Sequence, residues 1–134
     1  MSDKDDLIFI EHILDNINKI KSFSKNMTKD ELFKDEERQY AIVRAIEIIG
    51  EAAKNISKDL TKKYPNIEWK EIIGTRDKII HHYFGVDLEI VWNIIEKDIP
   101  DLKQKILKVK EDLEEHEKGR QEAKKKSKKS ENAI

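Results

Sequence analysis

Residues 36–57 read EERQYAIVRAIEIIGEAAKNIS and form the most apolar stretch of the chain. The apolar stripe comprises Tyr40, Ala41, Ala45, Ile48, Ile49, Ala52 and Ile56. Its residues recur every three or four positions, and Ile42, Val43 and Ile46 extend the apolar surface beyond one helix face. Such a helix must be covered on more than one side. Gly50 costs about 1 kcal/mol relative to alanine in a helix interior, which favours a close approach by another helix at that point. We therefore predict that this segment is the central helix of the fold.

Helical spacing extends over most of the remaining sequence. A first helix is predicted over residues 5–23, where Leu7, Ile10, Ile13, Leu14, Ile17 and Ile20 share one face. Thr28 and Glu31 have the spacing of a capping box, which marks the start of another helix. A polar connector is expected over 58–67.

Three further helices are predicted over 68–84, over 88–97 and from Leu102 to near Gly119. Gly85 suits the C-terminal cap of the first of these, and Asp87 suits the N-cap of the next. Pro100 is expected to kink or restart the chain. Alternating strand patterns and hairpin turn signals are nearly absent from the sequence. The expected fold class is therefore all-α, a bundle of four or five helices.

The charge is divided unevenly along the 134 residues. Residues 118–134 hold seven Lys or Arg and two acidic residues, a net charge of +5, so residues 1–117 carry −6 of the total −1. The basic segment has almost no apolar residues and cannot offset its ordering entropy by burial. We expect one helical domain over 1–117 and a disordered tail over 118–134. The tail is either a solvated extension or a contact for RNA or an acidic partner.

The composition also excludes several classes of protein. The absence of cysteine rules out a disulfide scaffold, a thiolate zinc site and a cysteine nucleophile. No apolar run approaches the roughly 18 residues of a membrane span, and the first residues mix charge into their apolar positions, unlike a signal peptide. We expect a soluble, cytoplasmic chain without a membrane partner. Glu47 and Glu51 share a helix face, and they suit a solvated or ion-paired edge better than a metal site. No metal and no cofactor are expected.

The candidate site lies in residues 74–85, GTRDKIIHHYFG. This segment gathers Arg76, Asp77, His81, His82 and Tyr83 in a chain with few histidines or tyrosines elsewhere. Arginine binds a phosphate through two hydrogen bonds, and a histidine with a pKa near neutrality can move a proton. These residue types suit cleavage of a phosphodiester without a metal. The alternative is structural, with the histidines and the tyrosine partly buried and Arg76 paired to a nearby acid.

On a continuous helix, Arg76 and Tyr83 point nearly the same way, and Asp77 stacks on His81, where its carboxylate could orient the imidazole. Arg76 and His81 lie about 140° apart on such a helix. They converge only if the arginine reaches round, if the helix frays near His81, or if a dimer axis brings two copies together.

At these residues the sequence resembles the HepT toxins, which are HEPN-domain partners of MNT nucleotidyltransferases in prokaryotic toxin–antitoxin pairs. The string R-x-x-x-x-H-x-Y at Arg76, His81 and Tyr83 matches their motif. The resemblance also includes Ile48-Ile-Gly50-Glu51-Ala-Ala, Pro65-x-Ile67-x-Trp69, Tyr83-Phe-Gly-Val-Asp87, Val91-Trp92 and Asp98-Ile-Pro100-x-Leu102, in order and spacing. The segment from about Lys118 lies outside it.

The resemblance implies a homodimeric, metal-independent endoribonuclease of HEPN type, with a composite site at the dimer interface. Arg76 would bind the scissile phosphate and His81 would transfer protons, leaving a 2′,3′-cyclic phosphate. Tyr83 would be modified with AMP by the nucleotidyltransferase antitoxin, which neutralises the toxin. Asp77 stands where family members usually carry Asn, and His82 also satisfies the looser family spacing.

A second hypothesis assumes the same fold but no catalytic activity. In it, the chain is a helical binding module that docks a nucleotidyltransferase or binds a nucleotide, with Arg76 as the phosphate anchor. It is motivated by Asp77, whose carboxylate would repel a phosphate, and by the absence of a conventional nucleophile.

Overall fold

A computed structural model describes residues 3–81 and 85–132, and the side chains of residues 5–80 and 85–125. The helices are α1 Asp3–Phe23, α2 Lys29–Lys34, α3 Glu36–Lys54, α4 Lys58–Lys63, α5 Trp69–Ile79, α6 Leu88–Asn93 and α7 Ile99–Asn132. A π-helical turn, Ile94–Asp98, joins α6 to α7, and the two-residue strands β1 Ile80–His81 and β2 Gly85–Val86 pair antiparallel. The predicted all-α class is confirmed, because this short ladder is the whole of the sheet structure in the described residues.

The central helix α3 packs against both α1 and α5, and α1 also packs against α7. It buries residues on more than one face, among them Val43 and Ala52, which lie about 180° apart on the helix, as its broad apolar surface predicted. Asp35 caps its start, since its Oδ1 accepts a hydrogen bond of 3.1 Å from the N–H of Arg38. Tyr40 departs from the prediction: it is 71% exposed and does not belong to the core.

α3 and α5 approach closely at Gly50. A Cβ at this position would lie 3.2 Å from the carbonyl oxygen of Ile72 and 3.9 Å from the Cα of Ile73. A Cβ here would force α5 to move by a few tenths of an ångström, which confirms the close approach expected from the sequence. The contact fixes the distance between the helix that carries Glu47 and the helix that carries Arg76.

Both predicted N-caps are present. Thr28 Oγ1 accepts from the N–H of Glu31 at 3.2 Å, and Asp87 Oδ1 accepts from the N–H of Ile90 at 3.2 Å. These side chains satisfy amides that have no partner inside their own helix. They set the starts of α2 and α6.

The segment expected to be a polar connector contains α4, so that prediction was wrong. Ser57 starts this helix, because its Oγ accepts from the N–H of Leu60 at 3.2 Å. Ser57 is itself held by Asp6 of α1, whose carboxylate accepts from the Ser57 N–H at 2.9 Å and from its hydroxyl at 2.6 Å. Asp6 is 2% exposed. The buried carboxylate therefore joins the first turn of α1 to the start of α4.

The helix predicted over 68–84 ends at Ile79, which corrects the sequence analysis. Ile80 takes an extended conformation, and the N–H of Asp87 donates to the carbonyl of Ile79 at 2.7 Å. Gly85 has a φ of +75°, but it lies in β2 and does not cap α5. Its positive φ belongs to the antiparallel pairing of β1 with β2. Helical periodicity does not predict such a pairing.

Pro100 is the second residue of α7, directly after the π-helical turn. Proline has no N–H to donate and disturbs the regular hydrogen-bond pattern before it. Here the N–H of Ile99 donates to the carbonyl of Ile94, five residues back. The expected local irregularity at Pro100 is thus a widened turn inside a continuing helical segment.

The last helix continues to Asn132, so its predicted end near Gly119 was wrong. Leu113 is its last buried residue among those whose side chains are described, and residues 118–125 are exposed. Lys, Arg, Glu, Gln and Ala all favour helix even without packing. The disorder expected for 118–134, and the division at residue 117, stay predictions. Within the described chain, none of the helices has the length and apolar character needed to cross a membrane.

Tyr64 ties the segment after α4 to the last helix. Its hydroxyl donates to Asp112 Oδ2 at 2.6 Å, and Lys108 pairs with the other oxygen of Asp112 at 3.1 Å. Burial, followed by the hydrogen bond and the negative charge of Asp112, raises the pKa of Tyr64 to about 12. The hydrogen bond from Tyr64 also lowers the pKa of Asp112. The neutral phenol is therefore the form that the fold stabilises.

Substituting Gly50 of α3 and Gly74 of α5 by alanine tests the α3–α5 contact. No atom lies within 4 Å of a Cβ built at Gly74, so Gly74→Ala should raise the free energy of unfolding by about 0.5–1 kcal/mol through helix propensity. Gly50→Ala should not show this increase in the free energy of unfolding, because its Cβ meets the backbone of Ile72 and α5 must move. Urea unfolding of both variants measures the difference. Equal stabilisation by the two substitutions would show that the helices are not held tightly at Gly50.

The raised pKa of Tyr64 predicts a pH-dependent contribution to stability. In the unfolded chain a tyrosine ionises near pH 10, and in the fold Tyr64 ionises near 12. The stabilising contribution is complete below pH 10 and is lost as the pH rises from 10 towards 12. Urea unfolding of the parent and of Tyr64→Phe gives the difference in their free energies of unfolding. This difference should be constant between pH 7 and 9 and should decrease above pH 10. The exposed Tyr40→Phe is the control, and a difference unaffected by pH contradicts the assignment.

Candidate active site

The site is built at the C-terminal end of α5, where the chain leaves the helix. Ile80 pairs with Val86, and His81 pairs with Gly85. Together with the hydrogen bond from Asp87 to Ile79, this pairing fixes the direction in which the backbone leaves α5. The backbone of His81 therefore follows the last helical turn in an extended conformation, with Arg76 in that last turn.

Arg76 extends from α5 towards α3. Its Nε lies 3.8 Å from Glu47 Oε2, and its side chain is 61% exposed. The separation is at the long end of ion pairing, so Glu47 orients the guanidinium while leaving much of it open to solvent. An exposed, oriented guanidinium can receive a phosphate through two hydrogen bonds.

Glu47 is the centre of a larger ion network. The same Oε2 atom lies 3.5 Å from Nη1 of Arg44, which also lies 3.6 Å from Oε1 of Glu51. The Glu47 side chain is 21% exposed and is the least exposed member of the group. Two arginines thus share one partly buried carboxylate on the surface where α3 and α5 meet, and Glu51 balances the charge of the network.

The sequence anticipated part of this network. The expected ion-paired edge at Glu47 and Glu51 is observed, and Arg44 stands three residues before Glu47 on the same helix. The structural alternative expected Arg76 to pair with a nearby acid, and Glu47 is such an acid. The identity of the partner was not predicted, since the contact joins two helices across the close approach at Gly50. Periodicity reports which residues share a face of one helix and carries no information on which helices meet.

The expected stacking of Asp77 on His81 assumed a helix continuous through residue 81, and that premise was wrong, because α5 ends at Ile79. Asp77 lies exposed on α5, and His81 lies in β1 beyond the end of that helix. The side chain of His81 lies outside the described residues, as do His82 and Tyr83 entirely. The structure therefore places Arg76, Asp77 and the backbone of His81 at one end of α5. The roles assigned to His81, His82 and Tyr83 stay predictions.

Apolar residues flank the network on both helices. Tyr40 stands one turn before Arg44 on the same face of α3 and is 71% exposed. Ile73 stands one turn before Arg76 on α5 and is 39% exposed. Among the described residues, no group of three or more His, Asp or Glu side chains could hold a metal ion. The described part of the site combines exposed apolar residues with arginine and carboxylate groups.

The chain matches the family described as ribonuclease HepT-like over residues 13–109. It is 42% identical over 114 residues to the putative RNase MJ0127 of Methanocaldococcus jannaschii, an alignment that covers 85% of this chain and 94% of that protein. It is 41% identical over 102 residues to the probable ribonuclease HepT of Thermococcus cleftensis, covering 76% of this chain and 93% of that protein.

A two-function relative is also similar. The chain is 45% identical over 113 residues to the gamma-glutamylcyclotransferase and putative RNase MJ0434 of M. jannaschii, which covers 84% of this chain and about half, 51%, of that protein. No solved structure matches the chain significantly. The segment matched by the family contains Glu47, Arg76 and His81. The chain belongs to the ribonuclease HepT-like family.

Proposed function

We propose that this protein is a metal-independent endoribonuclease of the cytoplasm and that Arg76 and His81 are its catalytic residues. The observation that carries the proposal is the exposed Arg76 guanidinium, oriented by Glu47 in the last turn of α5, five residues before His81. Membership of the ribonuclease HepT-like family and the names of its relatives support the same chemistry. The absence of cysteine leaves histidine as the natural proton-transfer group near neutral pH.

The proposed reaction uses the RNA itself as the nucleophile. His81 takes the proton from a ribose 2′-hydroxyl, the 2′-oxygen attacks the adjacent phosphorus, and the bond from phosphorus to the 5′-oxygen breaks. A second imidazole, His81 of another copy, donates the proton that the leaving 5′-oxygen needs. The products are a 2′,3′-cyclic phosphate and a free 5′-hydroxyl. Arg76 binds the phosphate and stabilises the negative charge that develops on its oxygens.

A homodimer would supply the second histidine. Tyr40 and Ile73 expose apolar surface on either side of the Arg44–Glu47–Arg76 network, and burying them against the same residues of another copy would be favourable. Such an isologous contact brings the two α5 helices together at their exposed sides. RNA would then bind in the groove between two Arg76 side chains.

The proposal extends to control of the enzyme. We assign the chain to the toxin side of a toxin–antitoxin pair, with an MNT-type nucleotidyltransferase as its partner. Transfer of AMP to Tyr83 would place bulk and negative charge seven residues from Arg76. The added phosphate would compete with RNA for the guanidinium and repel the incoming backbone.

Asp77 favours a second candidate function. An exposed carboxylate next to Arg76 weakens the attraction of the site for a polyanion. This observation supports a non-catalytic module that docks a nucleotidyltransferase or binds a single nucleotide at Arg76. The two candidates differ in whether the purified protein cuts RNA.

Cleavage of RNA by matched arginine variants tests the assignment. Arg76→Ala should lower the rate of cleavage by about 10²–10³, because the charge on the phosphate loses its main stabilising group. His81→Ala should lower it by about 10²–10⁴. Arg44→Ala is the control: it removes the other arginine paired with Glu47 and should change the rate by less than about threefold, within the usual range for an exposed ion pair.

Circular dichroism is used to check that each variant retains the helix content of the parent. Equal losses in the Arg44 and Arg76 variants would mean that the network acts through general charge or structure, which contradicts a catalytic Arg76. A parent protein that binds the nucleotidyltransferase but leaves RNA intact would favour the non-catalytic module.

Modification of Tyr83 is tested by co-expression with an MNT-type nucleotidyltransferase and intact mass measurement. The parent should gain mass in whole AMP units and lose ribonuclease activity. Tyr83→Phe should gain none, whereas Tyr40→Phe, which removes a highly exposed tyrosine on α3, should be modified like the parent. An unmodified parent beside an active partner, or modification that persists in Tyr83→Phe, contradicts the assignment.

A further inference from the structure

A groove lies beside α5. Its lining includes Glu71, Thr75 and Lys78 from α5, which recur every three or four residues and so share one face. Arg76 is not among the residues that line it, although Ile72, one turn before Arg76, is. The groove is bounded by α6, the π-helical turn and the start of α7, with α3 beneath it. It has a volume of about 270 Å³.

The floor of the groove is aliphatic. Ile72, Ile90 and Leu102 line it and are only partly buried, so they pack against the core on one side and leave apolar surface open on the other. Ile46 and Ile49 of α3 lie beneath them and are each 4% exposed. The volume falls just below the roughly 300–1,000 Å³ typical of small-ligand pockets. It suits a few inserted side chains.

The rim of the groove is acidic. It carries the carboxylates of Glu68, Glu71, Asp98 and Asp101 and the ammonium groups of Lys78 and Lys105, a formal charge of −2. Lys105 pairs with Asp101 at 2.8 Å, which leaves that lysine engaged within the rim. The carboxyl group of Glu68 hydrogen-bonds that of Glu71, and this contact raises the pKa of Glu68. Two carboxyl groups held so close favour a cation beside them over a phosphate.

We propose that this groove docks a segment of a partner protein that presents aliphatic side chains flanked by lysine or arginine. The apolar floor would receive the aliphatic side chains, and the acidic rim would pair with the flanking cations. An amphipathic helix with anchors at i, i+3 and i+7 has this chemistry and binds apolar grooves in other proteins. The surface is separate from the proposed ribonuclease site, so the inference does not depend on RNA cleavage.

The docking site can be tested with synthetic peptides on the full-length protein. The probe is a fluorescein-labelled helical peptide with leucine at i, i+3 and i+7 flanked by lysines. Two companions replace the leucines by serine or the lysines by glutamate. Fluorescence anisotropy at about 0.15 M salt limits long-range charge effects. The leucine–lysine peptide should bind at least about tenfold more tightly than either companion.

Charge-reversal variants test whether the peptide binds in the groove. The double variant Glu71→Lys and Asp98→Lys should weaken binding of the leucine–lysine peptide by about tenfold or more. The matched control is Glu111→Lys with Glu115→Lys, which makes the same change in net charge at exposed positions of α7 outside the groove. It should change the affinity by less than about threefold. Circular dichroism checks that both variants keep the parent fold.

Several results would overturn the proposal. Equal weakening by the two double variants would show diffuse attraction between charges, and equal binding of the glutamate peptide would exclude a cation-selective rim. Competition by a short oligouridylate that depends on Glu71 and Asp98 would identify a nucleic-acid surface. If sedimentation without peptide shows that the double variant Glu71→Lys and Asp98→Lys no longer self-associates, a second copy of the chain occupies the groove. RNA cleavage should persist in the groove variants, so failure here is distinct from failure of the ribonuclease proposal.

Discussion

The close approach of α3 and α5 at Gly50 is the constraint on which the candidate site depends. With a Cβ position only 3.2 Å from the backbone of Ile72, a larger residue would push the two helices apart by a few tenths of an ångström. This separation brings Glu47 of α3 within ion-pairing distance of Arg76 of α5. A wider spacing would leave Arg76 as an unoriented surface arginine. The glycine that weakens α3 locally thus fixes the position of the group proposed to bind phosphate.

The sequence predicted those features that depend on local chemistry. Thr28 and Asp87 cap helices as their residue types indicate, and the breadth of the apolar surface in α3 correctly required coverage on several sides. Gly50 was identified as a contact point because its cost in a helix demanded a reason. These predictions needed only spacing, capping and composition.

The features that the sequence did not predict depend on contacts between distant residues. Ser57 starts α4 where a connector was expected, and the buried Asp6, 51 positions earlier, holds that start in place. The end of α5 is set by a hydrogen bond from Asp87 and by the pairing of strands too short to show alternation. The Glu47–Arg76 contact likewise joins two helices. The sequence motif and the residue types thus identified the candidate residues, but they did not predict how those residues are arranged in space.

The two surfaces beside α5 differ in chemistry. In one, Arg44 and Arg76 share Glu47 on a surface bordered by exposed Tyr40 and Ile73. In the other, an acidic rim surrounds an aliphatic groove. The first surface holds as many glutamates as arginines, because Glu51 also pairs with Arg44. A phosphate would therefore be recognised there by the exposed guanidinium of Arg76 and not by a net positive charge.

Arg76 and His81 are proposed to act together across a dimer of this ribonuclease HepT-like protein. The most direct test mixes the parent with an equal amount of the His81→Ala variant under conditions that exchange subunits. Because the proposed reaction uses His81 of both copies, a mixed dimer lacks one of its two proton-transfer groups and should not cut RNA. With random pairing only about a quarter of the dimers would be parent, so the RNA-cleaving activity should fall to about half that of the same amount of unmixed parent. If the activity is unchanged although mass measurement shows mixed dimers, the two histidines do not act together across the interface and the proposed mechanism is contradicted.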